Sequence, residues 1–450
     1  MVVSTHGGSI YTGNFTSSYL SGAWTDERPL NWRQGIAKLY PNGKMPLLAL
    51  TSKLASEKVD DPQFHWWEEE LIGQRVDVTH VYTSYSALTP YSGACSAGDT
   101  LYITFTDANY YYTNQFKVGH VVMIARTDVA NAKVRGVVTA VTKASSTLGL
   151  VTLTMLEADS ATANHVCSDT QAIAKNVDAL IIGNANPELG ERPDALVMRP
   201  TKYTNYTQIF RNALSISRTM EKTKLRTGDA YAKAKADALE LHGMEMEKAL
   251  LWGLPYETIG ANGQPQRYTM GIDWWINEYN SGGVSDFKTD HADSTWLNGG
   301  YNWMNDELEV IFRYGRNSKL GLCGSGALLG LNKLAKDGST FQMTSATIAY
   351  GTKIIEWVTP FGVLNLVTAP LMSYDAIFRN TIYVLEPENI KWRYIDDTFF
   401  KADDTERKSD DTGKDGREEE WLTEGGFEFR HAKTMGVMHN VGVDGASIVT

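Results

Sequence analysis

The sequence predicts an α+β fold hung on one long helix, with a small β-barrel inserted ahead of it. Three observations carry this. An alanine-rich stretch, about Thr227 to Trp252, is the longest strongly patterned segment of the chain. Ahead of it stand Phe64-His-Trp-Trp-Glu-Glu-Glu-Leu71 and Asn205-Tyr-Thr-Gln-Ile-Phe210, which read as outgoing and returning strands. Between those two lies a run of short β segments that reads as an inserted module.

Residues 1–63 are rich in Gly, Ser, Thr, Asn and Pro, with scattered aromatics such as Trp24 and Trp32. Without periodic apolar positions such a segment cannot form a core, yet it carries too many large aromatics for an inert linker. It reads as an arm packed across neighbouring subunits, with an irregular edge packed on its own subunit as the alternative. Residues 64–78 and 201–220 are expected to be the strands of an extended loop, with Arg75–His80 and Lys202–Phe210 able to pair. From 79 to 200 the runs Leu101–Phe105, Val121–Ile124, Val134–Val141 and Leu150–Leu156 are rich in β-branched residues and punctuated by Gly98, Gly119, Ser145 and Gly149. That rhythm predicts a small antiparallel barrel or sandwich.

Residues 221–254 hold the long helix, roughly 40 Å from end to end at 1.5 Å per residue. Its apolar residues fall on two adjacent stripes, Tyr231, Ala234, Ala238 and Leu241 beside Ala232, Ala236, Leu239, Met246 and Leu250. This predicts a broad buried face and leaves Lys233, Lys235, Asp237, Glu240 and Lys248 to solvent. Thr227 or Asp229 can cap the start, and Gly253 and Pro255 stop the end. Residues 255–384 alternate helices and strands: helices over Trp296–Tyr314 and Ala327–Ala335, strands at Leu320–Cys323, Ile354–Val358 and Val363–Val367. Residues 385–450 are expected to return to the sheet under the long helix. Over 382–450 strands lie at Ile382–Leu385, Ile390–Tyr394 and Glu424–Phe429, with a charged loop over 396–420 and a Gly-rich tail.

Composition narrows the function. A hydrophobic content of 42% with 21% charged residues describes an ordered globular chain. The formal charge of −11 argues against a surface that grips nucleic acid. Cys95, Cys167 and Cys323 imply no disulfide framework. The first residues lack the basic start and apolar core of a secretory signal, and no apolar run approaches a membrane span. The sequons at Asn14 and Asn205 then carry no glycan.

No catalytic constellation emerges. Gly324-Ser-Gly326-Ala-Leu-Leu-Gly330 follows a strand and opens a helix, the setting in which backbone N–H groups cradle phosphate. Its spacing departs from the dinucleotide fingerprint and no acidic residue stands about 20 positions on, so close packing of helix on sheet explains it better. Asp410–Gly416 fails as a calcium loop, since Gly413 and Leu422 stand where oxygen ligands belong. The histidines show no zinc spacing, and Cys323 in an apolar strand reads as inert. No cofactor or metal site is expected.

The order of Trp66-Trp67-Glu68-Glu69-Glu70-Leu71, a β insertion, Asn205–Phe210, Ala213-Leu-Ser-Ile-Ser217 and a helix closing at Leu250-Leu251 resembles the major capsid proteins of tailed bacteriophages, built on the Hong Kong-phage-type capsid fold. Pro46-Leu-Leu-Ala-Leu50 fits the N-terminal arm of that family. The resemblance implies an arm over 1–63, an extended loop carrying the insert, a spine helix in a peripheral domain over 221–254, an axial domain over 255–384 and a return over 385–450. It implies self-assembly into pentamers and hexamers of an icosahedral virion capsid enclosing double-stranded DNA, made in the host bacterial cytoplasm. A portal protein, a scaffold or maturation protease and decoration proteins follow as partners, with no enzymatic role and no membrane. Candidate contacts between subunits are Trp24 and Trp32 in the arm, Trp66 and Trp67 on the outgoing strand, and Tyr206 and Phe210 on the return. The competing readings are a nucleotide-binding enzyme using Gly324–Gly330, and a decoration or tail component.

Overall fold

In the computed structural model the long helix lies on a four-stranded sheet whose strands come from widely separated parts of the chain. The structure describes residues 56–70, 75–91, 95–106, 113–126, 132–143, 148–159, 177–189, 195, 198–223, 229–337, 343–349, 352–402 and 416–448. The arm residues Trp24 and Trp32, and the segment 403–415, lie outside these. The described chain divides into two units, one formed by residues up to Trp66 together with Tyr203 onward, the other by Trp67–Lys202.

The first unit begins with strands β1 (Ser56–Lys58) and β2 (Gln63–Glu68). The second unit contributes β3 (Arg75–Asp77), β4 (His80–Ser84), β5 (Thr89–Pro90), β6 (Thr100–Thr106), β7 (His120–Arg126), β8 (Lys133–Lys143), β9 (Leu148–Met155) and β10 (Val177–Asn184). Their sheet order is β3-β10-β7-β8-β9-β6-β4-β5. Because β3 and β4 are one nearly continuous stretch, its first half pairs with β10 and its second half with β6. The backbone hydrogen bonds Val78 N to Val177 O and Thr79 N to Thr104 O bridge the change of partner. The sheet thereby curls into a ring around Val81, Ile103, Phe105, Val122, Ile124, Val151, Leu153 and Ala179, all buried. Barrel closure removes sheet edges. The pairing expected between Arg75–His80 and Lys202–Phe210 does not occur. Arg75–Asp77 is a barrel strand, held to β10 by Arg75 on Asp178.

The return is β11 (Thr201–Tyr206), which pairs with β2, followed by β12 (Gln208–Ser217) and a short helix α1 (Arg218–Lys222). The long helix α2 (Ala230–Trp252) is capped by Asp229, whose side chain accepts the Tyr231 N–H, and stops at Gly253. Its buried residues are Ala238, His242, Met246, Glu247, Leu250 and Leu251. The broad face expected from two stripes is therefore not formed: Leu239 and Leu241 are about half exposed. Alanines at those spacings favour helix without demanding burial, and one supporting sheet covers only a single side.

After a hairpin of β13 (Tyr256–Ile259) and β14 (Pro265–Tyr268) come α3 (Ile272–Tyr279), β15 (Val284–Asp286), α4 (Phe287–Asp290), α5 (Trp296–Phe312), β16 (Ser318–Cys323) and α6 (Ser325–Asp337). Then follow β17 (Met343–Ala349), β18 (Thr352–Val358), β19 (Val363–Thr368), α7 (Pro370–Tyr374), β20 (Ile382–Leu385), β21 (Ile390–Lys401), β22 (Gly416–Phe429) and β23 (Gly436–His439). A mixed seven-stranded sheet runs β15-β23-β20-β16-β19-β18-β17, and the sheet under α2 runs β1-β21-β22-β12.

Two expectations for the last seventy residues change. The two ends of the charged stretch, 396–401 and 416–420, extend the strands rather than belonging to a loop, with Lys401 opposite Glu420 and Phe400 opposite Trp421; residues 403–415 lie outside the described residues. Such cross-strand pairs stabilise a ladder through residues that read as loop in isolation. The tail strand β23 joins the seven-stranded sheet instead of the sheet under the helix, with Gly436, Val437 and Met438 buried.

Candidate functional site

The candidate surface is built from β2, β11 and β12, the strands that carry the residues singled out for subunit contact. Alternation along β2 turns Phe64 and Trp66 into the core and Trp67 outward. The Trp66 ring lies 5.9 Å from both Tyr203 and Trp275, and only 4% of Trp66 remains exposed. Phe210 is likewise buried, edge-on to His242 at 6.5 Å. Both rings pack in their own subunit's core, the alternative to a contact with a neighbour, and little of their surface remains accessible. Trp67 is 60% exposed, with Lys202 Nζ 5.9 Å above its ring. Tyr206 is half-buried, its hydroxyl accepting from Gln63 Nε2 at 3.4 Å. Trp67 and Tyr206 thus keep accessible surface, while Trp24 and Trp32 lie outside the described residues.

Asn205 does work that sequence reading missed. Fully buried, its Nδ2 donates to Phe427 O at 2.7 Å and Thr269 Oγ1 at 3.2 Å. Its Oδ1 accepts the backbone N–H groups of Tyr206 and Met270 at 2.8 and 2.9 Å. One amide therefore fastens the returning strand to the sheet and to the segment after the hairpin. No local pattern marks this role, since both the partner carbonyl of Phe427 and the N–H of Met270 come from distant parts of the chain.

Between helix and sheet, β12 and β22 run antiparallel, with Phe210, Asn212, Leu214 and Ile216 turned toward α2. His242 bridges Asn212 Oδ1 at 2.7 Å and Thr423 Oγ1 at 2.8 Å. Burial pushes its imidazole below the ordinary histidine pKa. Tyr231 donates to Glu419 at 2.6 Å, and that hydrogen bond, with burial, lifts the phenol to about 12. Lys235, expected to face solvent, instead stands 3.5 Å over the Phe400 ring.

The other face of the same sheet carries Ile209, Arg211, Ala213 and Ser215 on β12, opposite Glu424, Leu422, Glu420 and Glu418 on β22. Arg211 and Lys401 both pair with Glu420, at 2.6 and 3.5 Å. Burial works to raise the Glu420 carboxyl, but the Arg211 hydrogen bond and charge, joined by Lys401, outweigh it and hold the group below the usual range. Two hollows open along this face. One of about 430 Å³ lies between Ile209, Glu424 and the β13–β14 hairpin, the other of about 360 Å³ around Arg211, Ala213 and Lys401.

The glycine run at 324–330 offers no room for a phosphate. A Cβ on Gly324 would strike Arg379 O, one on Gly326 would strike Asn380 Oδ1, and one on Gly330 would strike the backbone of Gly442. The helix-start N–H groups are taken as well, Gly324 N by Thr381 O and Ser325 N by Ser373 Oγ. These glycines let α6 pack close on the segments around 379 and 442. Cys323 beneath them is buried, which pushes its thiol pKa up and away from reactivity. Among the described residues no group of three His, Cys, Asp or Glu could hold a metal ion.

A model of the family described as SU10 major capsid protein matches residues 11–442. A curated relative described as a major capsid protein, from Pseudomonas phage PaMx41, is 25% identical over 238 residues. That match covers 51% of this chain and 55% of the relative, so the chain spans about half the length of that relative. Among solved structures, the capsid of a native GTA particle is 9% identical, covering 95% of this chain and 99% of that one, with a TM-score of 0.44. The structure titled Mycobacterium phage Adephagia is 8% identical over 95% and 98% of the two chains, with a TM-score of 0.43.

Proposed function

The chain belongs to the SU10 major capsid protein family, and from that premise we propose that it self-assembles into pentamers and hexamers closing an icosahedral head around double-stranded DNA. Its role is structural. The observation that carries the reading is the family match over residues 11–442, nearly the whole chain. The described elements support it: they follow the order expected of the Hong Kong-phage-type fold, from paired stem strands through a barrel insert to a long helix on a sheet.

In this reading the shell is held by many modest contacts acting together, so that avidity turns weak individual patches into a stable lattice. Closed rings arise from heterologous contacts repeated around five- and six-fold axes. Trp67 and Tyr206 are the accessible contact residues of the stem, and Trp24 and Trp32 act in the arm. DNA is held by enclosure, without sequence-specific binding and without catalysis by this chain. The portal, a scaffold or maturation protease and decoration proteins complete the particle, which forms in the host cytoplasm. The glycine run gives the nucleotide-enzyme alternative no support, since protein atoms occupy the cradle it requires.

Electron microscopy with sedimentation of the full chain at rising concentration tests the proposal. Rings, tubes or closed shells are the expected products. A chain that stays monomeric at every concentration, also after addition of a scaffold protein, overturns it.

A further inference from the structure

We propose that the pairing of the barrel's first and last strands, β3 with β10, is a proton-operated clasp, fastened by a proton shared between the Asp77 and Asp178 carboxyls and loosened when that proton leaves. The clasp lies wholly within the insert, so it stands whether or not subunits assemble.

The ladder involved is short. Three residue pairs hold β3 to β10, Arg75 with Leu180, Val76 with Ala179 and Asp77 with Asp178, followed by the backbone bond from Val78 N to Val177 O. By contrast, β10 meets β7 over seven pairs and β6 meets β9 over seven. Val76 and Ala179 are buried and form the core side of the short ladder. Its outer side carries the two carboxyls. Asp77 and Asp178 stand directly opposite in the antiparallel register, where Cβ atoms are about 4.5–5.5 Å apart and like charges weaken the pairing. One of the weakest ladders of the barrel therefore contains its least favourable charge pair, unless a proton is held there.

The surroundings assign that proton to Asp77. Asp178 is only 7% exposed, and the Arg75 guanidinium is seated on its carboxyl. Asp77 is exposed and hydrogen-bonded to Asp178. A bond between two carboxyl groups needs a proton on one of them, because carboxylates only accept. That bond, with burial and the Asp178 charge, holds the Asp77 carboxyl above the ordinary aspartate range against the pull of Arg75. Along β7, Ala125 lies opposite Asp178 and Arg126 opposite Val177, and Lys133 of β8 lies opposite Ala125. The cations nearest in register are thus Arg75, Arg126 and Lys133. His80, three residues after Asp77, stacks on Tyr82.

The sign follows from linkage. A carboxyl whose folded-state value is raised stabilises the fold fully below its unfolded value, about pH 4, and loses that contribution as pH rises through the folded value. The clasp is therefore closed in acid and looser toward neutral pH. Burial of His242 makes the long helix respond in the opposite sense, losing stability on acidification. The two units of the chain thus answer to pH in opposite directions.

Hydrogen exchange of the full chain, read by mass spectrometry and corrected for the intrinsic pH dependence of exchange, tests the clasp. Protection of the segments 75–84 and 177–184 should fall about threefold or more between about pH 4.5 and about pH 7.5. Asp77→Asn should keep the higher protection at both values, since its amide donates to Asp178 without titrating. Arg75→Gln, which takes the cation off Asp178, should move the loss of protection to higher pH. Protection in the parent that is flat with pH overturns the proposal, as does the same pH dependence in parent and Asp77→Asn. An unmoved or lowered midpoint in Arg75→Gln overturns the placing of the proton on this pair. A loss of protection shared equally by the barrel and the long helix overturns the local clasp in favour of global unfolding.

Discussion

The two faces of the four-stranded sheet come from the same strands, yet they are built to different ends. Toward α2, Phe210, Leu214 and Ile216 pack against Ala238 and Met246, and His242 ties Asn212 to Thr423. One residue along, Ile209, Arg211, Ala213 and Ser215 face outward and remain exposed. Strand alternation alone creates the two sets, but only the helix decides which of them becomes core. The inner face therefore governs whether the subunit folds, while the outer residues of β12 carry little of that burden.

That contrast can be broken by substitution, beginning with the inner face. Phe210→Ala should cost about 3–5 kcal/mol, the usual cost of emptying an aromatic site in a core, read as a lowered urea midpoint. Asn205→Ala, which strands the Phe427 carbonyl and the Met270 N–H, should cost about 1–3 kcal/mol by the same measurement. Asn212→Ala belongs in that range if the His242 bridge matters as the geometry says, and a loss under about 0.5 kcal/mol would show the bridge to be incidental.

Acid sharpens the comparison further. His242 has a folded-state pKa below its unfolded value because burial disfavours the charged ring. As pH falls below about 6.5 the unfolded chain takes up the proton first, so stability is lost on acidification until the lower folded pKa is passed. Above about pH 6.5 this group contributes no slope. Urea midpoints against pH should flatten over that window in His242→Gln, and equal slopes in the two proteins would exclude His242 as the cause. The smallest effect belongs to the outer face. Ile209→Ser should leave the unfolding midpoint within about 0.5 kcal/mol of the parent, with any defect appearing only in assembly.

Aromatic residues teach a related lesson about legibility. Trp66 and Trp67 are neighbours of identical type, and composition could not tell which would face a partner. The structure buries Trp66 beside Tyr203 and Trp275 and leaves Trp67 exposed. Trp275 comes from a helix more than 200 residues later in the chain, so no local pattern announces it.

Several elements follow from local chemistry alone. The long helix with its Asp229 cap and Gly253 stop, the short strands of the insert and the close-packing glycines at 324–330 were all legible, because caps, periodicity and missing side chains act within a few residues. Tertiary structure decided the rest. It closed the barrel by letting residues 75–84 change partner between β10 and β6, sent β23 into the seven-stranded sheet, and lengthened β21 and β22 through a charged stretch. It also narrowed the buried stripe of the helix to the side its sheet can reach. Each of these depends on a partner distant in sequence, and pairing energy between distant segments leaves no periodic mark on either one.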